Sequence, residues 1–387
     1  MCWKTTVYIQ AIEPYREEKL NFSMRIAYLN ARYQKNHTGG GTVHVEQFMK
    51  HTLALGHELW AWQENVAGIH AIPKDRIRRL WTLRGMDVFY VRLDTSLPSE
   101  ARWGMPPKRW LYNPPLMVWE FNTHPNYVGV RSGNIANSDV NIERFRKYAP
   151  GCDLAVCVSD ALADFVREEL GIRTVLVVPN GSDPDLFYPD HEPVARMQAF
   201  TDSFNVVWIG SGKERWHDLE MVRRAAASII EKYPDKKISF HLIGPDLVGV
   251  MADMPGNVFY WGAQPYQELP GWLSAMDVGL VLYTQGSAEY NSPLKLFDYM
   301  ASGLCVVSTP ARFMTELSVE LDQPGLVIPF GDAERLVTEV MNLYQDEELR
   351  IRLGAATRRL VVERYNWSKV VKDTIGKIES MLNREKI

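Results

Sequence analysis

A chain of 387 residues is too long for one compact core, so two domains are the natural expectation. A hydrophobic share of 46% excludes a disordered chain, and a formal charge of −4 excludes a globally basic nucleic-acid binder. The four cysteines form no CxxC pair and no apolar run reaches membrane-spanning length, so no zinc site or disulfide framework is indicated and a reducing, cytoplasmic setting is expected.

In chain order, residues 1–23 lack the basic start and apolar centre of a signal peptide and read as an extension. Met24 to Asn30 reads as a strand, followed by the loop Thr38-Gly39-Gly40-Gly41-Thr42 and an amphipathic helix from about Val43 to Leu55. Gly56 stops that helix, and His57 to Gln63 reads as the next strand. Val88 to Leu93, Leu116 to Phe121 and Leu154 to Ser159 are further strands. Asp160 is placed to cap a helix to Leu170, and Val175 to Val178 runs into Pro179-Asn180-Gly181. After a polar stretch at 189–203 a second series begins: strands at Asn205–Ile209, Ile238–Ile243, Val258–Tyr260, Val278–Tyr283 and Cys305–Ser308, with a helix over Leu219–Lys232. Trp367 to Leu382 has helical spacing.

Short apolar runs alternating with helical patterns mark parallel βαβ units. The expected class is therefore α/β, with two Rossmann-like lobes facing a cleft. The lobes are expected at 24–200 and 201–365, with 366–387 as a helix packing back toward the first.

Three segments carry chemistry. Glycines at 39–41, between a strand and a helix, let a backbone approach a ligand closely, or else form a plain flexible loop. Gly210-Ser211-Gly212-Lys213-Glu214-Arg215-Trp216-His217-Asp218 follows the first strand of the second series, where open α/β sheets bind ligands. Lys213 and Arg215 there suit a diphosphate, or decorate a solvated turn. The third segment, Glu289 to Gly303, is polar and then helical. A helix opening near Ser292-Pro293 aims its N–H groups at a phosphate, with Lys295 adding charge. Asp298 lies on the same face as Lys295, to reach ribose hydroxyls or to pair with it. The plain alternative is a capped core helix with a surface ion pair.

The sequence Ser292 to Ser308, SPLKLFDYMASGLCVVS, resembles the donor-site segment of retaining glycosyltransferase family 4, in the subset reading SPLKLFEYMAxGxPVV. Asp298 stands at the second acid of that family's pair. Tyr290 stands where the first is expected, with Glu289 one place away. Other segments resemble family landmarks in order: Gly39–Gly41 with Gly56-His57-Glu58, Val156–Ser159, Val178–Asp183, Gly210–Asp218, Gly325–Asp332 and Tyr365–Trp367.

The resemblance implies a GT-B fold and metal-independent transfer with retention from a UDP- or GDP-linked sugar, with no other cofactor. It implies donor contacts from Gly40, Gly41, Gly210, Ser211, Lys213, Arg215, Trp216, His217, Tyr290, Asn291, Ser292, Leu294, Lys295 and Asp298, and a catalytic place for Glu289. Glu120 and His124 end the strand LMVWEF on the edge that faces the cleft, to bind a hydroxyl or take the acceptor proton. His44 on the first helix reads as structural. Asp183-Pro184-Asp185 superficially matches a DxD metal motif and reads as a turn.

Residues 74–109 hold nine basic residues against four acids, with tryptophans nearby. This composition suits an anionic bilayer at the inner membrane face, an acceptor glycan, or a solvated face with packed indoles. The expected function is sugar transfer to a glycan or lipid-linked acceptor in cell-envelope or exopolysaccharide synthesis. A sugar-nucleotide epimerase or hydrolase, and a non-catalytic nucleotide- or glycan-binding protein, are the alternatives.

Overall fold

The computed structural model of the protein describes residues 23–31, 40–62, 66–93, 95–112, 114–125, 136–213, 216–286 and 289–384. Residues 1–22, Gly39 and Arg215 therefore lie outside the described residues.

Lobe one is a seven-stranded parallel sheet in the order β3-β2-β1-β4-β5-β6-β7. The strands are β1 (Arg25–Leu29), β2 (Glu58–Ala61), β3 (Ile69–Ala71), β4 (Val88–Leu93), β5 (Leu116–Phe121), β6 (Leu154–Cys157) and β7 (Val175–Val177). Between them run α1 (Gly40–Ala54), α2 (Arg76–Arg84), α3 (Lys108–Leu111), α4 (Ala136–Tyr148) and α5 (Asp160–Glu168). All six residues of β4 and all six of β5 are buried, which is why these strands read as continuous apolar runs: helices cover both faces of the sheet. Gly56, at φ +88°, ends α1 in a backbone conformation that side chains rarely adopt. Ser159, rather than Asp160, caps α5. Its backbone is extended and its Oγ accepts from the Leu162 N–H, while Asp160 is the first helical residue.

Lobe two is a five-stranded parallel sheet in the order β10-β9-β8-β11-β12. It comprises β8 (Phe204–Ile209), α6 (Leu219–Lys232), β9 (Ile238–Ile243), β10 (Val258–Tyr260), α7 (Leu269–Leu273), β11 (Val278–Val281), α8 (Leu294–Ala301) and β12 (Cys305–Ser308). Helices α9 (Arg312–Glu320), α10 (Ala333–Gln345) and α11 (Glu347–Glu363) follow. In each lobe the strand order reverses beside the first strand, between β1 and β4 and between β8 and β11. Crevices for ligands open at such points.

The last helix, α12 (Trp367–Arg384), returns to lobe one. Trp367, Val371, Ile375 and Ile378 join the core cluster of Ile26, Val45, Phe48 and Val118. The chain thus crosses between lobes twice, and the crossings are bonded to each other. The Ser182 N–H donates to the Tyr365 carbonyl at 3.0 Å, and the Trp367 N–H donates to the Ser182 carbonyl at 3.0 Å.

Candidate active site

The loop after β8 is held by close backbone packing. A Cβ on Gly210 would meet the Trp208 ring at 2.7 Å, and one on Gly244 would meet the Gly210 carbonyl at 1.8 Å. Gly210 and Gly212 donate to the carbonyls of Ile243 and Pro245, 3.0 Å each, which ties this loop to the one after β9. Lys213 is 74% exposed and pairs with Asp246 at 3.1 Å. His217 turns inward, with Nδ1 3.2 Å from the Ser211 carbonyl, and packs against Trp208 and Tyr283. Burial, reinforced by the nearby Lys295 ammonium, lowers its pKa to about 2. It shapes the loop as a neutral ring and is not a cationic donor contact. Trp216 packs against the lobe-two core.

Helix α8 begins at Leu294, and no side chain caps its first N–H groups. Lys295, in its first turn, places Nζ 4.4 Å from the Trp208 ring centre and 5.8 Å from that of Tyr283. That nitrogen is buried and has no hydrogen-bond partner. Burial lowers its pKa to about 7. A buried cation with only ring faces for company is costly unless an anion completes its shell.

Asp298 corrects the expectation that it faces ribose or pairs with Lys295. It is only 4% exposed, and its Oδ1 accepts from Ser182 Oγ at 2.6 Å and from the Tyr266 hydroxyl at 3.1 Å. Burial raises its pKa to about 7 against the pull of these two bonds. It fastens α8 to the first interlobe crossing. The Leu294 side chain is likewise no donor contact, because it packs on the core of lobe one; only its backbone N–H remains at the helix start.

On the lobe-one side, Glu120 is not an open catalytic group. It is 1% exposed and receives Arg92, His44 Nε2 at 2.7 Å, Asn122 Nδ2 at 2.7 Å and the Tyr28 hydroxyl at 3.3 Å. Burial would raise its pKa, but His44 and Arg92 outweigh that and hold it at about 2. A carboxylate so satisfied neither takes a proton near neutrality nor reaches a substrate hydroxyl. His124 lies at the interlobe surface, its ring 4.4 Å from Tyr290 and 4.2 Å from Phe165, with its pKa lowered by burial to about 4. It is a neutral imidazole near pH 7. A Cβ on Gly41, at the start of α1, would meet nothing within 4 Å, so packing does not demand glycine there.

The segment from Glu289 to Leu294 bridges the lobes. Tyr290 packs on the core of lobe one, and its carbonyl accepts from Ser159 Oγ at 3.2 Å. A pocket between the lobes is lined by Ser159 and Pro179 of lobe one and by Glu289, Asn291, Ser292 and Arg312 of lobe two. The structure thus brings Glu289, Asn291 and Ser292 together with lobe one, beside Tyr290 and His124. It sends Glu120, Asp298 and Lys213 elsewhere. The cavity there is about 30 Å³, below the ~300 Å³ or more of ligand pockets. Among the described residues, no group of three or more His, Cys, Asp or Glu converges as a metal site requires. Asp183 instead accepts from Lys50 at 3.2 Å and from the Asp185 N–H at 3.2 Å, as a turn. The bridging parts are not signalled in the sequence: His44 reads as structural, and Asn180 stands in the landmark Val178–Asp183 with no partner indicated.

Two Rossmann-like lobes with parallel sheets, joined by two crossings, define the GT-B fold, and solved structures over 90% of the chain agree. A sucrose-phosphate synthase from Thermosynechococcus elongatus matches with a TM-score of 0.69 and 17% identity, over 94% of this chain and all of its own. HepE of Anabaena, solved with UDP and glucose, matches at 0.68 and 15%, over 92% of this chain and all of its own.

Residues 203–346, the sheet of lobe two and its first following helices, match the family model Glycosyl transferases group 1. The putative teichuronic acid biosynthesis glycosyltransferase TuaH of Bacillus subtilis is 30% identical over 169 residues, 41% of this chain and 40% of its own length. An uncharacterized glycosyltransferase of Methanocaldococcus jannaschii is 19% identical over 238 residues, 60% of this chain and 59% of its own. The chain therefore spans less than two thirds of the curated relatives it matches. No helix among the described residues is long and apolar enough to cross a membrane.

Proposed function

We propose that the protein is a glycosyltransferase that binds a nucleoside-diphosphate sugar on lobe two and passes the sugar to an acceptor held against lobe one. The carrying observation is the buried, unpartnered Nζ of Lys295 beside the uncapped start of α8. A diphosphate supplies the anion this nitrogen lacks, and the uncapped N–H groups at the start of α8 favour an anion on the same side. In the reaction the bond from the anomeric carbon to the diphosphate breaks, a bond to the acceptor oxygen forms, and the proton of that hydroxyl leaves to the departing diphosphate or to solvent. Negative charge grows on the leaving diphosphate, where a fixed ammonium and fixed N–H dipoles stabilise it most. His124 and Glu289 remain on the pocket side as contacts for sugar or acceptor hydroxyls, with Glu289 exposed and His124 neutral.

Retention of configuration is supported by the family-4 resemblance of Ser292–Ser308. A UDP-linked donor is supported by the UDP complexes of HepE. The name of the Bacillus relative supports an envelope glycan as acceptor. Contact with an anionic bilayer is supported by a lobe-one face on which Ile77 and Trp81 of α2 are each 68% exposed and Trp110 of α3 is 69% exposed, among arginines.

A thermal-shift panel of UDP, GDP, ADP and their sugars tests this function. One nucleoside diphosphate is expected to raise the melting temperature of the native chain, and Lys295→Ala to abolish the shift. An unchanged melting temperature with every nucleotide at millimolar concentration would sink the proposal.

A further inference from the structure

We propose that Asn180 is a positioning residue that couples the docking of the two lobes to the setting of the donor segment, with His44 as its anchor on lobe one. This rests on the reading of residues 291–295 as the donor site.

Asn180 lies where the chain leaves lobe one, and it is gripped from both sides. Toward lobe two, its backbone N–H donates to Ser292 Oγ at 2.9 Å, and its Nδ2 donates to the Ser292 carbonyl at 2.5 Å. The second bond fixes the amide, because only its nitrogen end donates to a carbonyl. The oxygen end is therefore what meets His44 Nδ1 at 2.7 Å. That ring nitrogen is a donor. The other, Nε2, faces the Glu120 carboxylate at 2.7 Å, again an acceptor. Its partner carboxylate is set in turn by Arg92 and Asn122.

An unbroken chain of polar contacts thus runs from the end of β5, through α1 and the first crossing, to the residue two before α8. Both its last links bear on Ser292, three residues from Lys295. The adjacent residues make the crossing stiff. A Cβ on Gly181 would lie 2.4 Å from the Tyr365 carbonyl of the second crossing, and Ser182 holds Asp298. The Trp367 and His44 rings pack nearly perpendicular with their centres 5.3 Å apart, so the second crossing packs on the same anchor.

Asn180 bonds to Ser292 across the lobes, so any parting of the lobes breaks these bonds, and all the Asn180 bonds are satisfied together only when the lobes dock. The chain of contacts then rewards docking and places the Ser292 backbone in one step.

The test uses the full chain with Asn180→Ala, His44→Gln and the double variant, each checked by melting. If Asn180→Ala does not fold, Asn180→Asp replaces it: it keeps an acceptor for His44 and loses the donor to Ser292. Small-angle scattering of the free protein reads lobe docking without any turnover. A larger radius of gyration is expected for the variants, with faster amide exchange at 291–296. In turnover, kcat is expected to fall about tenfold or more while nucleoside-diphosphate affinity stays within about threefold, since Lys295 and α8 are untouched. The double variant should be no worse than Asn180→Ala alone, because both act through one link. Scattering curves that superimpose on the native one, with losses that multiply in the double variant, would overturn the proposal. Should no sugar nucleotide be turned over, the scattering and exchange measurements still decide it.

Discussion

Lys295 and Asp298 sit one turn apart on α8, and burial pushes their pKa values toward about 7 from opposite sides. Two different pH dependences follow. Asp298 has a folded pKa above its unfolded value near 3.8, so the folded state holds the extra proton. The stability this gives is full below pH 4 and is lost as pH rises to about 7. Asp298→Asn keeps an acceptor for Ser182 and Tyr266 and removes the titration. Its melting temperature relative to the native chain is expected to climb between pH 4.5 and 7 and to level above that; a parallel pair of curves would contradict the assignment.

Lys295 instead loses its charge above about 7. Affinity for a nucleoside diphosphate, measured calorimetrically, should weaken from pH 7 to 9 by up to about tenfold per pH unit. In Lys295→Met that slope should vanish. At these two positions the residue types were legible in the sequence, but their environments were not. The partners of Asp298 come from Ser182 and Tyr266, 116 and 32 positions away, and nothing in the local spacing signals them.

Secondary elements were legible to the degree that they are covered. Strands β4, β5, β9 and β11, buried throughout, stand out as apolar runs. Strand β3 did not: it has three residues, at the sheet edge, all partly or largely exposed. Helix α2, RIRRLWTLR, buries only Leu83 and so carries no apolar stripe to read. The segment Ser292–Gly303 was readable because a helix start is a local event, set by Ser292-Pro293 and ended by Gly303.

The glycine loop after β8 was readable as glycine, but its reason is the Trp208 ring beneath it. Gly210→Ala forces a Cβ to within 2.7 Å of that ring. Because Trp208 also bears Lys295, the substitution is expected to cost about 1–3 kcal/mol of stability and to weaken nucleotide binding several-fold. Unaltered melting and binding would show the loop to be more pliable than its packing implies.

At the scale of the whole molecule, the two halves carry different surfaces. Lobe one presents α2 and α3 with exposed Ile77, Trp81, Trp110 and Leu111. Arg79 of α2 lies near enough to Tyr112, the residue after α3, to act on it electrostatically. Sedimentation with vesicles tests this face. The protein should pellet with vesicles rich in phosphatidylglycerol and not with phosphatidylcholine alone, and Trp81→Ala with Trp110→Ala should reduce the bound fraction several-fold. Equal recovery with both lipids would remove the bilayer from consideration.

The return of α12 to the first sheet has a consequence for how the protein comes into being. Ile26, Phe48 and Val118 are translated early, yet their cluster awaits Trp367 and Ile375, which are made only after the whole sheet of lobe two. The lobe begun first is therefore completed after the one begun second, and a message stopped just ahead of Trp367 injures the packing of the earlier lobe more than that of the later.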